Sequence, residues 1–134
     1  MNKVKVRIVT PQREMYDGEA DMVILRSQNG DIGVMHGHTP LMTVLDYGIL
    51  RLMENGETVK KAAVFGGFAE INKEGVNILT DTAEWSDEID VARAEEAKAR
   101  AEKKLLENVP DLEEVKFEMD LKRAIIRIRA AEDK

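Results

Sequence analysis

The sequence predicts an α+β fold in which an N-terminal antiparallel β-sandwich is followed by a C-terminal two-helix antiparallel hairpin. From Val4 to Leu79 apolar residues recur with a period of two, the pattern of half-buried strands. Turn dipeptides interrupt these runs at short intervals. After Trp85 glycine is absent, and Ala, Glu, Lys, Arg and Leu recur at helical spacing. We therefore predict a sandwich domain over residues 1–85 and a helical domain over residues 86–134.

Three hairpin signals divide the strand region. In Asn29-Gly30 and Asn55-Gly56 both residues tolerate the positive φ of a type I′ turn, and Lys73-Glu74-Gly75 marks a third turn. Many short strands joined by close turns are typical of a sandwich or a flattened barrel. Gly66-Gly67 lacks the spaced glycines and the Lys-Ser/Thr pair of a phosphate loop, so we expect a strand bend or a close backbone crossing there.

The helical region carries start and stop signals. Ser86 or Asp87 is expected to cap the first helix, which should run to about Asn108, where an Asn-Val-Pro sequence breaks it. Asp111, with Glu114 three residues later, has the pattern of a capping box for a second helix. Two helices joined by so short a break form a hairpin.

Each predicted helix has a narrow apolar seam. The seam consists of Ala94, Ala97, Ala101 and Leu105 in the first helix, and of Leu112, Val115, Met119 and Ile126 in the second. A fully buried large apolar side chain contributes about 1.5–3 kcal/mol and an alanine far less, so we expect a marginally stable hairpin. An ordinary appendage and a pair of helices built to separate both fit this pattern.

Composition excludes several classes of protein. The 134 residues carry 20 Lys and Arg against 26 Asp and Glu, so the concentrated basic face of a nucleic-acid-binding protein is not expected. Cysteine is absent, which removes disulfides and thiolate metal sites and suits a reducing compartment. The first residues alternate charged and apolar side chains, which is not the continuous apolar stretch expected of a signal peptide. We expect a cytoplasmic protein whose membrane association, if any, runs through a partner.

Two histidines stand two residues apart in the segment from Gly30 to Leu41. On a strand His36 and His38 would face the same side, as metal ligands often do. A structured turn explains them as well, since the chain offers no further histidine, no cysteine and no carboxylate at ligand spacing nearby. The favoured interpretation is the turn, and no metal site is expected.

Acidic and basic residues also recur at helical spacing in the second half of the chain. Asp90 and Arg93 lie one turn apart, and Arg123 and Arg127 share one face of the second helix. Such pairs commonly form a solvated, salt-bridged surface. Folding the hairpin could also bring the three arginines together, and guanidinium groups suit a polyphosphate while Asp90 could accept from an adenine amino group.

Several segments together resemble the epsilon subunit of the bacterial F-type ATP synthase. They are Gly30–Leu41, Tyr47–Arg51, Gly66–Glu70 and Ile78–Glu84. The likeness covers nearly the whole chain in order, spacing and length. It implies a non-catalytic rotor subunit on the cytoplasmic face of the cell membrane. It further implies a sandwich that packs on the gamma subunit and on the c-ring, with Asp31 and His38 as rotor contacts side by side at the end that faces the ring.

The resemblance also implies a mobile helical domain that inhibits ATP hydrolysis. In an extended state the helices would reach the alpha and beta subunits, where Arg123, Arg127 and Arg129 would meet an acidic segment of beta. In the folded state the hairpin would bind ATP as a regulatory ligand, with no cofactor required. The segment Ile89–Ala94 matches the Ile/Leu-Asp-x-x-Arg-Ala motif of ATP-binding members.

The implied ATP contacts in this chain are Glu84, Ile89, Asp90, Arg93, Ala94, Arg123 and Arg127, and Arg100 matches a further position. This chain departs from the family pattern at a few sites. His36 stands where many members have proline, and lysines stand at Lys103, Lys104 and Lys116 where strong ATP binders can carry arginine.

Two other functions stay open at this point: a free-standing ATP sensor and a small β-sandwich metalloenzyme. Co-purification with gamma would argue against the first, and stoichiometric bound metal with activity lost on chelation would support the second.

Overall fold

A computed structural model describes residues 2–132, so the outer ends of the two predicted domains, at 1 and 134, lie outside the described residues. The strands are β1 (Val4–Val9), β2 (Glu14–Ala20), β3 (Met22–Ser27), β4 (Gly30–Val34), β5 (Leu41–Val44), β6 (Tyr47–Glu54), β7 (Glu57–Phe65), β8 (Phe68–Ile71), β9 (Gly75–Leu79) and β10 (Ala83–Trp85). A 3-10 turn (Ser86–Glu88) and the helices α1 (Val91–Leu106) and α2 (Asp111–Ala131) follow.

The strands form two five-stranded sheets, which confirms the predicted sandwich. The first sheet has the order β2-β1-β9-β8-β5 and the second the order β10-β7-β6-β3-β4. All pairings are antiparallel except that of β1 with β9, which is parallel, so the predicted all-antiparallel pattern fails at this one pair. The chain passes from the first sheet to the second between β2 and β3, between β5 and β6, and again between β9 and β10.

The core lies between the sheets because alternate residues of most strands point inward. In β1 the side chains of Val4, Val6 and Ile8 are buried, whereas Lys5 and Arg7 between them are exposed. Buried residues of the remaining strands except β5 complete the same cluster. At about 1.5–3 kcal/mol for each large side chain, this core holds the sandwich together.

The turns follow the glycine signals with one change of register. Asn55 and Gly56 have φ values of 52° and 77° between paired Glu54 and Glu57, as a type I′ turn requires. In the other hairpin Ser27 pairs with Gly30, so the two-residue loop is Gln28-Asn29 and not the predicted Asn29-Gly30. Asn29 does not have a positive φ, and Gly30 opens β4 with a φ of 115°.

Gly67 marks the predicted close crossing of two backbones. Its φ is 99°, and a Cβ atom there would lie 2.0 Å from the carbonyl oxygen of Leu79. The Gly67 carbonyl also accepts from the amide of Leu45 at 2.9 Å. Only glycine fits where three segments approach so closely.

The helix starts differ from the prediction. Ser86 and Asp87 belong to the 3-10 turn, and Asp90 caps α1 by accepting from the amide of Arg93 at 3.1 Å. At α2 the residue before the helix is Pro110, and no side chain caps the start, so the predicted Asp111 capping box does not form. Asp111 instead lies in the first turn, where the positive end of the helix dipole favours an acid.

The hairpin is attached to the sandwich through α2. Helix α2 packs on β6 and β7, and α1 packs on α2. A small apolar cluster joins the helices to the second sheet, and its buried members are Ala63, Phe65, Ile89, Ile126 and Ala130. Among the described residues 2–132, no helix is long and apolar enough to cross a membrane.

The predicted seam of α2 is wrong at its N-terminal end. Leu112 and Val115 are 88% and 58% exposed. The buried positions lie further along the helix, at Ala124, Ile126 and Ala130. In α1 the buried positions are Ala94 and Ala101, as the alanine seam predicted. The interface between α1 and α2 therefore consists largely of alanine, and it removes little apolar surface from water.

Candidate functional site

A cavity of about 390 Å³, here called the helix–sheet cavity, lies where α1, α2 and β10 meet. Three acids, three arginines and two alanines line it: Glu84, Glu88, Asp90, Arg93, Ala94, Ala97, Arg100 and Arg127. Both polar and apolar atoms thus face one concave space at the base of the hairpin. Such concave sites with a few convergent polar groups are where small ligands bind.

Helix α1 supplies most of this lining because residues three and four positions apart share one helix face. Arg93, Ala97 and Arg100 follow one another at this spacing, immediately after the capping residue Asp90. The small side chain of Ala97 leaves room between the two guanidinium groups. Helix α1 therefore presents positive charge around an open space.

Strand β10 and helix α2 close the cavity through an ion pair. Arg127 donates from Nε to Oε1 of Glu84 at 2.5 Å, and both side chains are 30% exposed. The Arg127 guanidinium also lies over the ring of Phe65, 4.7 Å from its centroid. These two contacts fix Arg127 at the cavity wall.

The 3-10 turn contributes Glu88, whose carboxylate is fixed from outside the cavity. Arg13, in the β1–β2 turn, donates to both Glu88 oxygens at 2.6 and 2.9 Å, and Glu88 Oε1 accepts from the amide of Trp85 at 2.9 Å. The Arg13 hydrogen bonds, and then the Trp85 amide, lower the pKa of Glu88 to about 2. Glu88 is therefore ionised at neutral pH.

Five of the residues implied as ATP contacts line the cavity, namely Glu84, Asp90, Arg93, Ala94 and Arg127, together with Arg100. Ile89 does not line it, because its side chain is buried in the apolar cluster between the helices and the sheet. Ile89 instead holds the start of α1 against the sandwich.

Arg123 also lies outside the cavity lining. It donates to the hydroxyl of Tyr47 at 3.2 Å and to Asp120 at 3.4 Å, and its guanidinium lies over the Tyr47 ring. One turn of helix thus separates it from Arg127, which contacts Phe65. The folded hairpin brings Arg93 and Arg127 to one cavity and leaves Arg123 beside it.

Sequence reasoning missed Glu88 and Ala97 as cavity residues. Ala97 was placed in the seam between the helices, on the correct face of α1. A cap at Ser86 or Asp87 would place Glu88 inside the first helix, whereas it belongs to a separate 3-10 turn. Its partner Arg13 is 75 residues away, and no local pattern signals such a pair.

Arg129 lies on another side of α2. It lines an open groove between α2 and the second sheet, together with Arg51, Lys122 and Glu118. Lys122 in turn pairs with Asp46 at 3.1 Å. In the folded hairpin Arg123 contacts Tyr47 and Arg127 contacts Glu84 and Phe65, whereas Arg129, the third implied inhibitory residue, lines the groove.

The two implied rotor contacts lie toward opposite ends of β4. Asp31 follows the β3–β4 turn and pairs with Arg26 at 3.3 Å. His38 lies beyond the other end of β4, in a loop whose Gly37 amide donates to the carbonyl of Lys73 in the β8–β9 turn. The side chain of His38 contacts the carbonyl oxygen of Thr39 at 2.6 Å. A single turn does not carry both residues.

The histidine pair is not surrounded by metal ligands. His36 lines a shallow pocket with Lys3, Lys5, Glu19 and Glu74. Over residues 2–132 no three His, Cys, Asp or Glu side chains are grouped closely enough to hold a metal ion. The segment forms a turn stabilised by the Gly37 backbone hydrogen bond.

An apolar row crosses the outer face of the first sheet. Val44, Phe68 and Leu79 are paired across β5, β8 and β9, so their side chains stand side by side. All three are exposed, as is Met42 two residues before Val44. A contiguous apolar patch of this kind marks a surface that a protein partner covers.

Comparison with protein families gives matches over nearly the whole chain. Residues 3–86 match the family described as "ATP synthase, Delta/Epsilon chain, beta-sandwich domain". Residues 87–132 match "ATP synthase, Delta/Epsilon chain, long alpha-helix domain".

Individual relatives agree with these matches. An ATP synthase epsilon chain from Bacillus licheniformis is 41% identical over 98% of this chain and 99% of its own, and one from Alkaliphilus oremlandii is 48% identical over 75% of each. A chain in the Euglena gracilis mitochondrial ATP synthase structure has a TM-score of 0.84 at 22% identity, covering 97% of this chain and 82% of that one. A chain in the Tetrahymena thermophila central stalk and c-ring structure has a TM-score of 0.62 at 15% identity, covering 98% of each. The two structures show likeness of fold.

Proposed function

This chain belongs to the ATP synthase delta/epsilon chain family, and from that premise we propose that it is the epsilon chain of a bacterial F-type ATP synthase. It is a non-catalytic subunit of the central stalk, located on the cytoplasmic face of the membrane. Its sandwich binds other rotor subunits, and its hairpin regulates ATP hydrolysis. The helix–sheet cavity is the observation that carries the regulatory part of the proposal.

The sandwich binds the gamma subunit through the apolar row. Phe68 stands at its centre, and covering it with a partner would remove apolar area from water. Phe68→Glu should therefore abolish co-purification with gamma. Val59→Glu is the matched control, because Val59 is also an exposed apolar residue but lies on the other sheet. Equal loss in both variants would contradict the assignment.

The c-ring contact involves the end of the sandwich that carries Asp31. Because His38 lies at the other end of β4, we assign it to a different part of the rotor. The ring carries protons or sodium ions, and the residues of this chain do not take part in that choice.

ATP is the proposed ligand of the helix–sheet cavity. Glu84 is paired with Arg127, Glu88 with Arg13, and Asp90 caps α1. Among residues 2–132 no ion pair joins Arg93 or Arg100 to an acid. Their guanidinium groups are thus available to a polyphosphate, to which arginine donates bidentate hydrogen bonds.

Bound ATP would favour the folded hairpin, because the cavity exists only while α1, α2 and β10 are together. At a hundredfold excess over the dissociation constant, a ligand that binds one state stabilises it by about 2.7 kcal/mol. An interface built largely of alanine would respond strongly to that free energy. Without ATP the helices separate, and Arg123, Arg127 and Arg129 become available to the alpha and beta subunits and restrain hydrolysis.

Calorimetric titration of the purified chain with ATP tests this function. We expect saturable binding of one ATP per chain, with weaker binding of Arg93→Ala. Lys98→Ala is the control, since it removes a positive charge from α1 that does not line the cavity. No heat of binding in the parent chain would contradict the regulatory proposal and leave the rotor assignment intact.

A further inference from the structure

The contact between Arg13 and Glu88 links the sandwich to the helix–sheet cavity. Arg13 lies in the β1–β2 turn and does not line the cavity, whereas Glu88 does. Two charge-assisted hydrogen bonds join the guanidinium to the carboxylate in bidentate geometry. The Trp85 amide provides a third bond to the same carboxylate. The position of the Glu88 charge is therefore fixed by residues outside the cavity.

The charges of the cavity lining show why this contact matters. The three arginines of the lining are balanced by three acids, so the lining alone has no net charge with which to attract an anion. Glu88 is ionised at neutral pH and cannot lose its charge by protonation. Arg13 is the group that compensates it, and the cavity then has a net positive charge.

Building on the ATP site proposed above, we propose that Arg13 is a positioning residue for nucleotide binding. It holds the Glu88 carboxylate toward the β1–β2 turn and compensates its charge, so that the cavity accepts the triphosphate of a nucleoside triphosphate. Without Arg13 only the Trp85 amide holds the Glu88 carboxylate, whose other oxygen can then turn toward Arg93 and Arg100. It would then repel the phosphates and occupy the guanidinium groups that should bind them.

Titration of the full chain with ATP at constant ionic strength tests this role. Arg13→Ala should weaken ATP binding about tenfold, the effect expected from a few charge–charge interactions in a hydrated cavity. Arg7→Ala is the matched control. Arg7 forms a similar pair with Glu14 at 2.9 Å on the same hairpin, and neither residue lines the cavity, so ATP affinity should not change.

Two further variants separate this role from simple stabilisation of the fold. Arg13→Lys keeps the charge and should bind ATP within about threefold of the parent. Glu88→Gln keeps the oxygen that accepts from Trp85 but removes the negative charge. The double variant Arg13→Ala with Glu88→Gln should bind ATP as tightly as the parent. Because it still lacks the ion pair, a return of affinity would separate the effect of charge from that of the fold. Thermal unfolding confirms that each variant is folded at the temperature of titration.

Parent-like ATP affinity in Arg13→Ala would overturn this proposal alone. A double variant that binds ATP as weakly as Arg13→Ala would also overturn it, because the contact would then act only through the fold. Absence of ATP binding by the parent would overturn the proposed regulatory site and this proposal with it.

Discussion

Arg127 on α2 and Glu84 on β10 are joined by a hydrogen bond of 2.5 Å that ties the second helix to the edge of the second sheet. The bond uses Nε of Arg127, so the two terminal nitrogens keep four N–H groups that can donate to phosphate. A nucleotide can therefore bind Arg127 without displacing Glu84. The same pair holds the hairpin closed and orients an arginine toward the proposed ligand.

The alanine interface of the hairpin gives the first prediction. Ala101 is buried on α1, and a leucine there would overpack the interface at a cost of about 1–3 kcal/mol. Ala101→Leu should therefore open the hairpin, weaken ATP binding and strengthen inhibition of hydrolysis in the assembled enzyme. Ala99→Leu adds the same side chain at an exposed position of α1 and should change neither property. Equal behaviour of the two variants would contradict the packing argument.

Truncation separates the binding role of the sandwich from the inhibitory role of the helices. Chains that end after Trp85 or after Glu88 should both assemble and support synthesis, with ATP hydrolysis raised because the helices are gone. The longer one should melt at a higher temperature, since it keeps the Arg13–Glu88 pair and the Trp85 hydrogen bond. Hydrolysis rates equal to that of the full chain would mean that the helices do not inhibit this enzyme.

The proposed ring contact is tested by crosslinking in the assembled, active complex. A cysteine at Asp31 should form disulfides with cysteines in the polar loops of the c subunits. The matched control is a cysteine at Glu57, in the Asn55-Gly56 hairpin at the opposite end of the sandwich, which should not crosslink. If the cysteine at Asp31 fails to crosslink at several loop positions, or if the cysteine at Glu57 crosslinks equally well, the proposed ring contact is wrong.

Local patterns predicted the elements of this fold better than their ends. The period of two and the Asn55-Gly56 dipeptide predicted strands and a type I′ turn that the structure contains. The start of α1 was misplaced because Ser86, Asp87 and Asp90 are all good capping residues, and only tertiary contacts decide among them. Here the burial of Ile89 and the hydrogen bonds of Glu88 fix residues 86–88 as a separate turn.

The cavity could be predicted only in part for a similar reason. Asp90, Arg93 and Arg100 share one helix face, which spacing alone reveals. Which residues of α2 join them depends on how that helix rotates against β6 and β7, and sequence spacing does not fix this rotation. Arg123 accordingly contacts Tyr47, one turn away from the cavity. The parallel pairing of β1 with β9 is likewise a long-range contact without a local signal.

The low pKa of Glu88 predicts how stability depends on pH. The pKa is about 2 in the folded chain against an ordinary value of 4.5, so the carboxylate stabilises the fold above its ordinary pKa. That stabilisation disappears as the pH falls from about 4.5 toward 2. The pair with Arg13 is exposed, and its contribution should not exceed about 1 kcal/mol.

Denaturant unfolding followed by the fluorescence of Trp85, the single tryptophan, measures this effect. Glu88→Gln should be less stable than the parent at pH 7, and the difference should shrink as the pH is lowered to 3. Arg13→Met removes the same ion pair from the other side and should show the same trend. A difference that grows as the pH falls would contradict the assignment of the shift to this pair.

Asp90 gives the most direct test of the nucleotide site, and the structure shows how to perform it. Its carboxylate caps α1 through the amide of Arg93, so Asp90→Ala removes a cap of about 1 kcal/mol as well as the proposed ligand contact. Asp90→Ser keeps a capping oxygen and removes only the charge and reach of the carboxylate. If Asp90 accepts from the adenine amino group, both variants should bind ATP about tenfold more weakly than the parent, the effect of one lost hydrogen bond to a charged group. Inhibition of hydrolysis should then persist to higher ATP concentrations in both, because no positive charge is lost from the inhibitory helices. If Asp90→Ser binds ATP as tightly as the parent and only Asp90→Ala is weakened, the carboxylate acts as the start of a helix and does not recognise the nucleotide.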